Sequence, residues 1–329
     1  MEYILVTGAA GYIGSKVAYD LIDNGHKIIA IDNLSNGNKK VIPKKCVFIR
    51  VDITKSSKLE KIFRQYKITS VYHFAAKKKV DDSQKFPLRY FKSNVIGTKN
   101  LLDLIIKYKV KNLIFSSTCA VYGNNLNSKV SEKSLRLPES YYGYTKLISE
   151  NTIIEYQKKY KFNYAILRYF NVVGADNKLR TGEIKSGSLF KKIYNSFKSN
   201  KKFVVYGNDY KTKDKTCIRD YIDLNDLSKL HLKSHSFINN KKKSIIFNCG
   251  YSRPISVLDV VRTFEKICKK KINIRIGKRR FGDLEKIFSD NTLQKKLFPL
   301  WEPKYDLVDS VKSTLNWEKK IINYKFKSY

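Results

Sequence analysis

The sequence predicts an α/β protein, a doubly wound parallel sheet followed by a smaller C-terminal α/β domain. Three observations carry this. Apolar strand-like runs alternate with helical patterns through the first half, glycines punctuate the turn after the first run, and the alternation weakens in a polar, glycine-containing stretch at 174–187. The boundary is placed near residue 175, giving domains 1–175 and 176–329. A chain of 329 residues has the length of about two domains. With 42% hydrophobic and 13% aromatic residues it is neither a disordered chain nor a small stapled scaffold.

Residues 3–7 hold the run Ile4-Leu5-Val6, and residues 27–31 hold Ile28-Ile29-Ala30-Ile31. Such near-continuous aliphatic runs are what parallel strands covered on both faces require. Helical patterns at 16–24, 59–66 and 96–108 separate these from strands at 70–74 and 112–116, and a further strand occupies 164–168. Beyond the boundary the elements shorten: a helix at 189–198, strands near 202–206 and 245–248, and a helix at 257–269. The end, 323–329, reads as a frayed tail.

Thr7-Gly8-Ala9-Ala10-Gly11-Tyr12-Ile13-Gly14 follows the first strand and opens a helix. One glycine turns the chain and the next lets backbone approach a pyrophosphate, which the N–H groups and dipole of the helix N-terminus favour. The second strand ends at Asp32, about 20 residues on, where a carboxylate can accept the adenosine ribose hydroxyls and repel a 2′-phosphate. This predicts a Rossmann-type domain that takes NAD rather than NADP, with Asp52 and Ile53 placed to meet adenine. The bland alternative is a strand–helix turn with an acidic residue and no ligand.

Tyr142 and Lys146 stand at i, i+4, one face of a helix. A phenol beside an ammonium is a tunable base: lowering its pKa by ~3 units takes ~4 kcal/mol, which Lys146 and a positively charged nicotinamide together could supply. Ser116-Ser117-Thr118 ends a strand of the same sheet, at the edge where ligands of parallel sheets bind. On a chain with 23 Tyr, a Y-x-x-x-K pair recurs by chance, and its weight comes from this position.

These residues resemble the extended short-chain dehydrogenase/reductases, and within them the UDP-glucose 4-epimerases. The resemblance runs from Thr7 to about Asp290, through Asp32-Asn33-Leu34-Ser35-Asn36-Gly37, His73-Phe74-Ala75-Ala76, Ser116-Ser117-Thr118-Cys119-Ala120-Val121-Tyr122-Gly123 and Arg168-Tyr169-Phe170-Asn171. Gly207-Asn208-Asp209-Tyr210, Arg219-Asp220-Tyr221-Ile222 and Arg279-Arg280-Phe281-Gly282-Asp283 continue it. It implies oxidation at C4 of a UDP-hexose, rotation of the keto-sugar and return of hydride to the other face, interconverting UDP-galactose and UDP-glucose. By the same resemblance Tyr142 is the base, Lys146 holds the nicotinamide ribose, and Thr118 hydrogen-bonds the reacting oxygen. NAD would touch Gly8, Gly11, Tyr12, Ile13 and Gly14, then Asp32, Asn33, Leu34, Ser35, Asn36 and Gly37, with Asp52 and Ile53. It would also meet Phe74, Ala75, Ala76, Lys77, Lys78, Asn94, Thr118, Tyr142, Lys146 and Phe170. The UDP-sugar would meet Lys78, Thr118, Tyr142, Asn171, Ser188, Leu189, Val204, Val205 and Tyr206, with Arg219, Arg280, Asp283 and Ile287. Arg219 and Arg280 are chemically suited to clamp phosphates, although a surface ion-pair network uses the same residues. The resemblance also implies a homodimer through helices at 94–108 and 145–160.

Five positions depart from the family pattern. Ala9 replaces a frequent glycine, Ser188 a larger Asn or His, and Lys211 and Lys215 a frequent Pro and Gly. Ile287 replaces a bulky Tyr found in some members, which leaves UDP-N-acetylhexosamines open as substrates, and an epimerase acting on UDP-glucuronate, which would want extra hydroxyl or acidic groups beside Thr118, is a further alternative. Cys119-Ala120 lack the acid and base a dehydratase needs beside Thr118.

The balance of 66 Lys plus Arg against 29 Asp plus Glu, +37, on its own points to nucleic acid or an anionic membrane. Only twelve of the cations are Arg, the residue that reads base edges bidentately, and the lysines are spread through the chain in runs such as Lys77-Lys78-Lys79. The excess is read as a solvated basic surface with no specific nucleic-acid partner. A non-enzymatic NAD- or nucleic-acid-binding protein is the rival class. Five Cys without a C-x-x-C pair read as reduced thiols. His231 and His235 lack the glutamate of a zinc helix, so no metal is expected. No apolar run reaches ~18 residues, and the expected setting is the cytoplasm, unanchored.

Overall fold

Seven strands form the larger sheet, in the spatial order Ile245–Cys249, Asn163–Tyr169, Asn112–Thr118, Lys67–His73, Glu2–Thr7, Ile28–Asp32 and Val47–Arg50. From Asn163–Tyr169 to Val47–Arg50 every neighbouring pair is parallel. This is a computed structural model, and it describes residues 1–124, 127–185, 187–279 and 283–323. The sheet forms where the aliphatic runs predicted it: Leu5, Val6, Ile29, Ile31, Val71 and Phe115 are fully buried. Helices Ser56–Gln65, Gly97–Lys107 and Tyr141–Lys159 contribute Leu59, Phe63, Leu101, Leu102, Ile105 and Ile153 to one core with the strands. The strand order reverses between Glu2–Thr7 and Lys67–His73, which places the turns leaving Thr7 and His73 at the switch point where ligands of such sheets bind.

A second unit has its own core of Val173, Phe190, Ile193, Phe203, Val205, Val260, Phe264 and Val311, among others. Its larger sheet runs Pro254–Ser256, Ile218–Asp223, Lys286–Ser289 and Lys129–Val130, with Asn171–Val173 pairing on Ile218–Asp223. Phe203–Tyr206 and Ile274–Gly277 form a separate parallel pair. Helices Leu189–Ser199, Val257–Cys268 and Leu307–Asn323 belong to this unit.

The expected single cut near residue 175 is replaced by a discontinuous division. The first unit holds 1–124, 132–169 and 228–248, and the second holds 127–131, 170–227 and 249–323. The chain returns because most of helix Leu224–Lys241, and the strand after it, join the first unit: Ser228 Oγ donates to Asp20 (2.6 Å), and Ser70 Oγ lies 2.8 Å from His235 Nε2. The first helix, expected from 16, starts at Tyr12. Apart from residue 323, the expected tail lies outside the described residues.

Leu5, at 0% exposure in the middle of the sheet, tests the core. Leu5→Ala should cost about 2–5 kcal/mol, read as a lower urea midpoint with an unchanged slope.

Candidate active site

Gly8 turns the chain at φ +69°, and a Cβ there would stand 2.7 Å from the Ala75 nitrogen, so only glycine lets the two strand ends approach this closely. The following helix, Tyr12–Asp23, has Gly11 at its N-cap, with no side-chain cap and no acidic residue in the first turn. A helix start built this way presents its dipole and backbone to an anion rather than to its own side chains. Asp32 accepts from Ala10 N (3.1 Å) and Leu34 N (2.7 Å), and burial raises its carboxyl above the usual range against those bonds. Each of its oxygens keeps a lone pair for a ribose hydroxyl. Asn33 Nδ2 donates to Asp52 (2.8 Å), and Ile53 is buried.

Asn94 sits in a π-helical turn, Phe91–Ile96. Its side chain accepts from Lys77 N (2.8 Å), and donates to Lys77 O (3.0 Å) and to Thr145 Oγ1 (3.0 Å). Expected as a cofactor contact, Asn94 has its 2%-exposed amide committed to clamping the loop that holds Ala75, Ala76 and Lys77. The widened turn frees its carbonyl for Thr98 and Ser149 hydroxyls. Thr98 has thus given its proton to Asn94, so His73 Nε2 (2.9 Å) donates to Thr98 and His73 Nδ1 accepts from Thr7 (2.7 Å). Burial, with Lys146 adding to it, holds His73 neutral, its pKa lowered to about 3.

The helix Tyr141–Lys159 begins at Ser140, whose hydroxyl accepts from Gly143 N (3.1 Å). A Cβ on Gly143 would stand 2.5 Å from the Ala120 oxygen, so glycine lets the helix press against the turn after Thr118. Thr118 Oγ1 accepts from Ala120 N (3.2 Å), and its hydroxyl lies close enough to the Tyr142 phenol to draw the phenol's pKa downward against burial. One turn on, Lys146 is 3% exposed, with Nζ donating to Ser116 O (2.7 Å) and lying 4.6 Å from the Phe115 ring centre. Tyr142, Lys146 and Thr118 are therefore brought to one strand end.

In the protein alone, burial pushes the phenol up to about 12 against the influence of the Thr118 hydroxyl, and burial drives Lys146 down to about 7, with Glu150 opposing. Lys146 alone does not make the phenol acidic, because its ammonium faces the Ser116 carbonyl and desolvation dominates at both groups.

Below this pair lies a network that sequence reasoning did not single out. Glu150, at 0% exposure, accepts from Arg168 Nε (3.1 Å) and Nη2 (2.7 Å) and from the Ser117 hydroxyl. Arg168 Nη1 donates to Tyr122 (2.9 Å), which donates to Asn248 Oδ1 (2.6 Å). Only the Arg168-Tyr169-Phe170-Asn171 stretch hinted at it, because these partners lie up to 126 residues apart in sequence.

In the second unit Arg219 Nη2 donates to Asp283 (2.6 Å), joining two of the expected UDP contacts, while Arg280 lies outside the described residues. Val204 and Tyr206 are half-buried on one face of their strand, and strand alternation turns Val205 into the core at 1% exposure. The Val205 side chain therefore packs into the core, and any contact it makes with a ligand is left to its backbone. Ser188 is likewise committed as the N-cap of Leu189–Ser199, accepting from Lys191 N and donating to Glu183, so what Ser188 and Leu189 present is backbone at a helix start. Ile287 is buried at 4% in register with Arg219, Asn171 pairs with Tyr221, and Phe170 is buried.

Residues 4–250 match the model of the NAD dependent epimerase/dehydratase family. The chain is a member of that family. It is 34% identical over 323 residues to the UDP-glucose 4-epimerase of Azospirillum brasilense, covering 97% of this chain and 92% of that one. It is 35% identical over 320 residues to the enzyme of the same name from Halalkalibacterium halodurans, covering 96% and 95%. The crystal structure of UDP-glucose 4-epimerase from Stenotrophomonas maltophila, with bound NAD and formylated UDP-arabinopyranose, superposes with a TM-score of 0.93 at 33% identity over 98% of this chain and 99% of that one. The epimerase family's cofactor fits here: the close approach at Gly8, the uncapped helix start and the Asp32 carboxylate match the pyrophosphate and adenosine ribose of NAD.

The buried ammonium of this epimerase-family protein has a thermodynamic signature. Unfolded, Lys146 titrates near its usual 10.5, and folded near 7, so between these values the unfolded chain binds more protons and stability rises with pH. Lys146→Met should therefore stabilise the fold most below pH 7. The gain should shrink by up to about 1.4 kcal/mol per pH unit toward pH 10, measured by urea unfolding across that range.

Proposed function

We propose that the protein interconverts UDP-glucose and UDP-galactose through a 4-keto sugar, with no net redox change. The observation that carries this is the meeting of the Tyr142 phenol, the Thr118 hydroxyl and the buried Lys146 at one strand end beside a dinucleotide turn. Held at the Gly8 turn and Asp32, NAD would supply the hydride acceptor and donor for C4 of the sugar. Tyr142 accepts the C4 hydroxyl proton as that bond is oxidised and gives it back on reduction. Thr118 donates to the phenol and, with the substrate present, to the reacting oxygen. Lys146, anchored on the Ser116 carbonyl, orients the nicotinamide ribose and lends positive charge to the phenolate. Arg219, Arg280 and Asp283 hold the uridine diphosphate, the guanidiniums on phosphate oxygens and the carboxylate on ribose hydroxyls. The setting is cytoplasmic, in keeping with five Cys that form no disulfide among the described residues.

A second copy of the chain pairs through helices at 94–108 and 145–160. The support is exposed apolar surface at Ile96, 38% exposed, and at Tyr144, 49% exposed and just before the second range. Sedimentation should show a dimer that dissociates on dilution, and a monomer at every concentration would overturn this.

Tyr142→Phe keeps the ring and removes the proton acceptor. It should retain bound NAD but lose about 10²–10⁴-fold in kcat, in an assay that follows UDP-galactose conversion without added cofactor. Near-normal turnover would overturn the assignment.

A further inference from the structure

We infer that Glu150 is a positioning residue for the reaction: clamped by Arg168 and Ser117, it fixes Lys146 against the active-site strand and supplies the negative charge that lets an ammonium reside there. This rests on the role given to Lys146 above and extends it by one turn of helix.

The inference stands on register. Tyr142, Lys146 and Glu150 are spaced i, i+4, i+8 on one helix, and each meets the last residues of one strand: Tyr142 at the Thr118 hydroxyl, Lys146 at the Ser116 carbonyl, Glu150 at the Ser117 hydroxyl. A helix hydrogen-bonded to a strand at Lys146 and again one turn on at Glu150 cannot slide or rotate without breaking both bonds. Of these contacts the one at Glu150 is the deepest. Its bidentate pairing with Arg168 reaches across to the neighbouring strand, and Tyr122 and Asn248 extend it to the next.

The charges facing Lys146 narrow the source of its stabilisation. His73, from Lys67–His73, is neutral by burial, and its influence runs against the ammonium. Tyr142, on its own helix, is protonated. The Phe115 ring and the Ser116 carbonyl offer only a quadrupole and a dipole. Glu150 is the facing carboxylate, and it draws the Lys146 pKa upward against burial. Arg168, beyond it, keeps Glu150 in place, and Arg168 with the half-exposed Arg136, 3.9 Å from the same carboxylate, partly offsets its charge. Removing the carboxylate alone therefore both withdraws the attraction and exposes Lys146 to an unpaired guanidinium.

The test is a pH titration of the holoenzyme by NMR with ¹³Cε-labelled lysine, the Lys146 resonance being identified by its loss in Lys146→Met. In Glu150→Gln the Lys146 midpoint should fall by about 1 pH unit or more, a tenfold or greater loss of proton affinity. The limb of the kcat profile that depends on this ammonium should move with it, and Glu150→Asp should recover part of both. If Glu150→Gln does not fold, Glu150→Met with Arg168→Met replaces the pair by apolar side chains of similar size, an exchange buried ion pairs commonly tolerate. Its Lys146 midpoint should fall too, by less. A midpoint unchanged in whichever of these folds overturns the inference. The titration does not depend on turnover. A shift without epimerisation would sink the proposed reaction and leave this coupling standing, while normal epimerisation with no shift would sink the coupling alone.

Discussion

An ammonium group in a protein interior is the constraint from which the architecture of this site follows. Moving a lysine out of water costs several kcal/mol unless something takes the place of its hydration. Here the replacements are a carbonyl at 2.7 Å, an aromatic face and a carboxylate one helical turn away. All come from the strand Asn112–Thr118 or from the helix carrying the lysine, so the two elements must be held in fixed register. The Glu150–Arg168 pair, at 0% and 2% exposure, provides that fixity. As a source of stability a buried ion pair is weak, but as a way of forbidding alternative registers it is strong, since each wrong register leaves a charge unpaired in the core.

The same logic explains why glycine recurs at the contacts rather than only in the turns. At Gly8 and at Gly143 a side-chain carbon would collide with backbone at 2.7 and 2.5 Å. One approach brings the turns after the first and fourth strands together at the switch point. The other presses the start of the Tyr142 helix onto the turn after Thr118. The clamp at Asn94 works in the same direction, trading regular helix for a π turn so that a single amide can fix the loop following His73. Several elements converge to within hydrogen-bond distance because each has lost the atoms or the regular geometry that would keep it away.

Much of the first unit was legible in the sequence because its signals are local. Aliphatic runs mark strands covered on both faces, and the spacing of Gly8, Gly11 and Gly14 marks a turn whose geometry few other residues allow. The Tyr142 and Lys146 pair needed only helical periodicity and a strand end nearby. What escaped notice was non-local or poorly patterned. Glu150 and Arg168 look like ordinary charges on a lysine-rich chain until the fold joins them. The helix Leu224–Lys241 was missed because its core residues are mixed with His, Ser, Asn and Lys, which blunt any apolar stripe. For that reason the boundary was drawn as one cut, whereas 228–248 rejoin the first unit. In the second unit Val205 was assigned with its neighbours as a group, although alternation along a strand forces it to the opposite face from Val204 and Tyr206.

The raised phenol changes how the base must come into being. A tyrosine held near 12 with a lysine near 7 is, at neutral pH, a protonated phenol beside an ammonium that is easily discharged. Such a pair is inert toward a sugar hydroxyl. In the proposed reaction Tyr142 would become a base only when further positive charge entered the same volume, and an oxidised nicotinamide would supply that charge. Its basicity would then follow the charge of the bound cofactor. The protein's part is to keep both side chains dry enough for that one charge to decide between phenol and phenolate. A fully solvated tyrosine–lysine pair, screened by water, could not respond to it to the same degree.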